Sequence, residues 1–284
     1  IAVTAERAEQ VLFAYPNAKT GNVIVVRKSD TESEPAPKTS ARFTDIQDLA
    51  GKRIAVQTGM VHDKILADVL PSAQLVYFDS QTDLVTALRT NKVDAFCTDI
   101  PTAKFMMTGY SSMTQLGAQL TTEEAAPIFP KNEAGRQLCE QFTEFTKAAW
   151  DNGTIHELEA IWYGSDDSRR VVKDYSQLPA PNGMLKMAAD ISVVPFTYIK
   201  DNRIVGYDVD FAVRFCEKYG YGLEVIPMSW TGIIPYVMSG KCDFAANSIF
   251  ITEERAESVL FSYPNIKSGT GLFVRKADVI PQSP

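Results

Sequence analysis

A repeat that joins the two ends of the chain constrains its fold more than any other feature. Residues 1–30, IAVTAERAEQVLFAYPNAKTGNVIVVRKSD, align without gaps with 249–278, IFITEERAESVLFSYPNIKSGTGLFVRKAD, and 18 of the 30 positions are identical. Solenoid units repeat every 20–50 residues or so, whereas this separation of 248 residues is the spacing of whole domains in tandem. The chain starts partway through one copy and reaches the equivalent point of the next. Between the copies lie two stretches, 44–165 and 184–250, each present once, which together make one domain written in rotated order.

Both stretches alternate strand and helix patterns. In the first, RIAVQTG is a short apolar run ending in a Gly turn, MVHDKILADVL has the i, i+3/i+4 spacing of an amphipathic helix, QLVYF is strand-like, TDLVTALRT helix-like and VDAFCTD strand-like. The second repeats the theme with LKMAAD, YDVDFAVRFCEKYG, LEVIPM, TGIIPYVMSG, CDFAANS and TEERAESV. Alternating β and α with short Gly/Pro breaks predicts two α/β lobes, each built on a parallel sheet. TESEPAPKTSA at 31–41 and the segment 166–183, where Pro179 and Pro181 deny a helix, read as surface loops, the second as the linker between copies.

Charge and cysteine usage exclude several classes. The balance of 28 basic and 35 acidic residues gives a net charge of −7, the wrong sign for a nucleic-acid backbone or an anionic membrane. No apolar run approaches the roughly 20 residues of a spanning helix, and the chain opens at Ile1 without an initiator Met, which leaves room for a removed leader or an upstream region. Cys97, Cys139, Cys216 and Cys242 form no CxxC pair, and His62 and His156 stand far apart, so neither a metal site nor a cofactor is expected. Buried free thiols are the favoured state, with a bond between Cys216 and Cys242 as the other reading.

In open parallel sheets, ligands bind outside the carboxyl ends of the strands. Asp190, Trp230, Asn247 and Ser248 follow strands of the second stretch, and Gln57, Thr58, Gly59, Thr98 and Asp99 those of the first. One aromatic face, several hydroxyl and amide groups and separated acids suit a small zwitterion rather than a catalytic triad. Thr252-Glu253-Glu254-Arg255 has a good N-cap and two acids in the first turn of a helix, which places Arg255 where its fork can fold back toward Ser248 and grip a carboxylate. The competing readings are a surface arginine paired with Glu254 or Glu257, and a Trp230 that only packs.

The motifs at 185–264 and at 48–165, taken in that order, resemble the polar amino-acid-binding proteins of ABC importers, the family 3 extracellular solute-binding proteins. The resemblance covers nearly the whole chain, from LKMAADISVVPF through TEERAESVLFSYP and LFVRK to DLAGKRIAVQTG, VDAFCTDIPTA and DNGTIHELEAIWYG. It implies a periplasmic-binding-protein-like α/β fold, a type II clamp of two lobes joined by a hinge and here circularly permuted. The expected boundaries are 44–128 for lobe 2, and 129–165 plus 184–278 for lobe 1, with 1–28 a duplicate of 251–278.

It further implies that Arg255 holds the α-carboxylate of an amino acid and Asp99, from the other lobe, its α-ammonium. Trp230 then stacks on the side chain, Asn247, Ser248, Thr58 and Met60 complete the carboxylate's bonds, and Asp190 and Gln57 face the side-chain pocket. Phe250 departs from the pattern, because the resemblance leads one to expect a Ser or Thr there, and its ring becomes a candidate ligand contact. The implied partner is an ABC permease, separate or fused in the same polypeptide, outside the cell or in the periplasm and tethered through flanking sequence. A sensor domain of a membrane histidine kinase or cyclase is the alternative, and a dehydratase of the same fold a third reading, against which stands the absence of a paired general acid and base. Because the lobe-crossing strand is written twice, an exchanged dimer is a natural outlet for the surplus copy.

Overall fold

The computed structural model describes residues 42–171 and 174–280. In chain order the strands are β1 (Arg53–Gln57), β2 (Gln74–Phe78), β3 (Ala95–Asp99), β4 (Met113–Ala125), β5 (Ile128–Phe129), β6 (Met184–Ala189), β7 (Ser192–Val193), β8 (Thr197–Lys200), β9 (Arg203–Val205), β10 (Gly222–Pro227), β11 (Phe244–Ala245), β12 (Leu260–Phe261) and β13 (Ile266–Arg275). The α-helices are α1 (His62–Val69), α2 (Gln81–Arg89), α3 (Ile100–Gly109), α4 (Glu133–Asp151), α5 (Thr154–Trp162), α6 (Tyr207–Tyr219), α7 (Ile233–Met238) and α8 (Glu253–Ser258).

One sheet has the order β2-β1-β3-β13-β4, a second β10-β6-β11-β5-β12, and β7-β8-β9 make a small third. Each large sheet is parallel at one side and antiparallel at the other. β1 runs parallel to β2 and β3, but β13 is antiparallel to β3 and β4. Likewise β6 is parallel to β10 and β11, while β5 opposes β11 and β12. The expectation of wholly parallel sheets is corrected here. The antiparallel strands belong to chain that passes between the sheets, and such passing strands need no helical crossover.

Burial on both faces explains the near-continuous apolar strands. In the first sheet Ile54, Val56, Leu272 and Val274 point into one cluster with Leu66 of α1, and Ala55, Phe96 and Phe273 point into the opposite cluster with Leu84 and Leu88 of α2. The period of two decides which residue meets which layer. Gly271 leaves room for Phe273 in this packing: a Cβ there would stand 3.2 Å from the phenyl ring. The second sheet is covered by aromatics of α4 and α6, with Phe142 stacked on Phe215 at 3.7 Å between ring centres. Gly220 ends α6 in the left-handed conformation, φ 70°, as a glycine C-cap does.

The expected boundaries shift in two places. Ile266–Arg275 lies between β3 and β4 of the first sheet rather than with the rest of 184–278, and Ile128 pairs in the second sheet rather than the first. The alternation in β13 serves both helical layers of the first sheet, Leu272 and Val274 on one side and Phe273 on the other. Of residues 249–278, β12 thus pairs in the second sheet and β13 in the first, and the duplicate at 1–28 lies outside the described residues. Three segments cross side by side between the sheets: Ile251 N donates to Glu124 O, Ala126 N to Ile249 O and Asn265 N to Ala125 O, at 2.9–3.1 Å.

The described part of 166–183 is mostly exposed, as expected of a surface segment, but it is anchored at a few points. It makes two single turns, Tyr175 Oη donates to Ile204 O at 3.2 Å, and the buried Arg170 lies over the ring of Phe105, 4.7 Å from its centre. All four cysteines are free.

Candidate functional site

On the second sheet's side, the residues after the strands brace one another. Asn247 Oδ1 accepts from Asp190 N, and its Nδ2 donates to Asp190 O at 3.2 Å. Asp190 Oδ1 accepts from Ser192 N and Oγ at 2.9 and 2.7 Å, and Oδ2 from Trp230 N at 3.1 Å. All three residues after the strands are buried, and the indole of Trp230 is held at one edge of the cleft between the sheets. Ser248 adopts φ 50°, a left-handed conformation that costs a non-glycine residue energy. Its N–H donates to Asp208 Oδ2 at 2.8 Å, which helps hold that conformation, and its Oγ is buried without a partner.

Arg255 reaches across the cleft. Thr252 caps α8 by accepting from Arg255 N at 3.2 Å. The guanidinium then donates through Nη1 to Phe250 O at 2.9 Å and through Nη2 to Gly59 O at 3.2 Å, and it sits 5.6 Å from the centre of the Trp230 ring. Burial pulls its pKa below the ordinary value, opposed by Glu254 and Asp99. Glu254 itself pairs with Lys64 across the rim, so the ion pair expected with Arg255 gives way to that contact. Gly59 comes so close that a Cβ there would lie 3.3 Å from the indole. A groove of about 330 Å³ opens beside these groups, lined by Gly59, Met60, Lys64, Thr252 and Arg255 among others. That is the lower end of the range for small-molecule sites, about 300–1,000 Å³. A separate apolar dimple at Trp162 and Tyr175 encloses only about 20 Å³, room for little more than a water.

On the first sheet's side, the expected residues divide. Gln57 Nε2 donates to Asp79 O at 3.1 Å, and Thr58 Oγ1 to Phe78 O at 3.2 Å, so both hold the turn after β2. Met60 is buried with Trp230 and Ile249 in one cluster. Phe250 is buried too, its ring edge-on to His62 at 6.3 Å, and it acts on Arg255 through its carbonyl. Asp99 ends β3 with Oδ1 3.1 Å from His62 Nε2.

Sequence reasoning missed His62, Glu123 and Asp208. The signal for His62 was available, since it begins the helix after β1, five residues past Gln57, but the search of strand ends stopped at Met60. Glu123 stands in the Thr-rich β4, which has no clear periodicity; burial raises its pKa, and Asp99's charge adds to that. Asp208, buried at the start of α6, accepts from Ser248 N and Asn265 Nδ2, and burial pushes its pKa up to about 7. Among the described residues no cluster of His, Cys, Asp or Glu could hold a metal ion.

Two α/β sheets joined by antiparallel crossing segments, with polar strand ends beside the crossings, define a two-lobed α/β fold. The family model described as "Bacterial extracellular solute-binding proteins, family 3" matches residues 1–165 and 185–280, and the chain belongs to that family. It is 24% identical over 172 residues to the ABC transporter arginine-binding protein 1 of Escherichia coli, covering 57% of this chain and 63% of that one. It is 27% identical over 97 residues to the E. coli L-cystine-binding protein TcyJ, covering 34% and 36%. The chain therefore spans less than two thirds of the length of these relatives. Among solved structures, the arginine-bound form of domain 1 from TmArgBP is 33% identical, covering 34% of this chain and 82% of that one, with a TM-score of 0.29.

Proposed function

We propose that the chain binds a polar L-amino acid in the cleft and delivers it to the permease of an ABC importer on the outer side of a membrane. The observation that carries this reading is the fork of Arg255, which leaves the second sheet's side, passes the face of Trp230 and donates to Gly59 O on the first. A carboxylate offers that fork two charge-assisted bonds in place of a neutral carbonyl, so a ligand carboxylate displaces Gly59 O. Asp99 takes the ammonium, Trp230 lies along the side chain, and Asp190 with Asn247 holds Trp230 in place. A ligand that engages groups of both sheets favours their approach about the crossing segments.

Two features support arginine as the first compound to try: the acid Glu123, close enough to Asp99 for their charges to interact, and relatives described as arginine-binding. The reading is of a binder and not an enzyme, and tethering to the membrane through flanking sequence belongs to it. The rotated order, in which 44–165 completes what 184–278 begins, is part of the same proposal. A thermal-shift screen of the twenty amino acids tests it. A compound at about 100 times its dissociation constant adds roughly 2.7 kcal/mol of stability, and a screen in which none raises the midpoint sinks the reading.

A further inference from the structure

Asp99 and His62 reach one point from neighbouring strands. β1 and β3 are parallel partners, so the turn after β1 and the end of β3 open on the same edge of the sheet. The His62 and Asp99 side chains are only 1% and 3% exposed, with Nε2 and Oδ1 3.1 Å apart. A carboxylate only accepts, so Nε2 carries the proton it receives. The other nitrogen, Nδ1, is buried and has no partner in the protein. Asp99 makes no side-chain bond to the start of α3, although it stands at the cap position. Its carboxylate is therefore oriented by the imidazole.

The charged groups around the ring come from each neighbouring element. Asp99 of β3 bonds it, and Glu123 of β4 is close enough for the two charges to interact. From the second sheet's side the ring meets Phe250, whose carbonyl takes Arg255. On its own helix, Asp63 is partly exposed and Lys64 is turned out to Glu254.

We propose that His62 is a positioning residue for the ligand's cationic group: it holds Asp99 by one oxygen and leaves the other for an ammonium. This rests on the reading of Asp99 as the ammonium partner. A single free oxygen suits a point donor better than a planar fork, which needs both oxygens of a carboxylate. Ligands with a primary ammonium at this end are thereby preferred over those with a guanidinium there.

The test is calorimetric titration of L-arginine, L-glutamine and 5-guanidinopentanoic acid, which is arginine without its α-amino group, into the wild type, His62→Phe and His62→Gln, whose amide can still donate to Asp99. His62→Phe is expected to bind the two amino acids at least about tenfold more weakly than the wild type and the des-amino compound within about threefold of it, and His62→Gln is expected to recover part of the loss. Equal losses for L-arginine and its des-amino counterpart overturn the proposal, as does an unchanged affinity for the amino acids in His62→Phe or a His62→Gln that recovers nothing. No binding of either amino acid to the wild type overturns the reading of the cleft as well.

Discussion

The two sides of the cleft are held in different ways. On the second sheet's side the strand-end residues bond one another, Asp190 with Asn247 and Trp230, and Ser248 with Asp208. On the first sheet's side the strand-end residues bond outward to the next turn or helix instead of to one another: Gln57 and Thr58 hold the turn after β2, Thr98 donates to Gln81 at 3.0 Å, and Asp99 meets His62. The strand-end residues of the second sheet's side thus brace one another, whereas Asp99 is held through one oxygen by a single neighbour. In the clamp proposed above, the second sheet's side is then the fixed jaw against which the other is registered.

The largest effect expected is the loss of binding in Arg255→Ala. Removing both charge-assisted bonds to a carboxylate weakens affinity by at least about 100-fold, roughly 2.7 kcal/mol, with the fold intact by circular dichroism. A change under about tenfold in calorimetry breaks the assignment of Arg255 to the fixed jaw.

Asp208 sharpens the comparison through pH. Its folded pKa of about 7 lies above the ordinary 3.8, so the stability it contributes is fully present below about pH 4 and is lost as pH rises through 7. The span corresponds to at most about 4 kcal/mol. Asn265 Oδ1, buried without a partner, can accept from the protonated acid once its amide turns over. In Asp208→Asn the same turn lets Asn265 accept from the new amide, so the variant is expected to lose less stability between pH 5 and pH 8 than the wild type. Parallel melting curves across that range would refute the role.

Two smaller substitutions compare the jaws directly. Asn247→Ala leaves the buried Asp190 N–H and C=O without partners and is expected to cost about 2–3 kcal/mol in urea unfolding. Gln57→Met on the other side removes one bond to Asp79 O, together with an Oε1 that has no partner in the wild type, and is expected to cost under about 1 kcal/mol. Equal costs would erase the distinction.

Much of the fold was legible because burial on both faces leaves short apolar strands between amphipathic helices. RIAVQ, QLVYF, LKMAA and YDVDFAVRFCEKY fall where the patterns put them. β4 was not legible: its MTQLGAQLTTEEA alternates poorly because one end packs on the sheet and the rest is a partly exposed edge. The destination of β13 was also hidden, since an apolar strand carries no mark of which sheet it joins. At the site, Arg255 lies over the ring of Trp230, so a residue picked from a strand end and one picked from a helix start are neighbours. What stayed hidden was pairing between residues distant in sequence, such as His62 with Asp99 or Asp208 with Ser248, which no local pattern encodes.

The close approach of Gly271 to Phe273 has a counterpart in the other copy of the repeat. There the two positions are Val23 and Val25, so the residue that gains an isopropyl group accompanies one that gives up a ring. A single chain thus carries its own two-line alignment, and within it one compensated pair. Gly271→Val alone sets a branched side chain against the phenyl ring, whereas the double change restores the volume by the route the other copy has already taken.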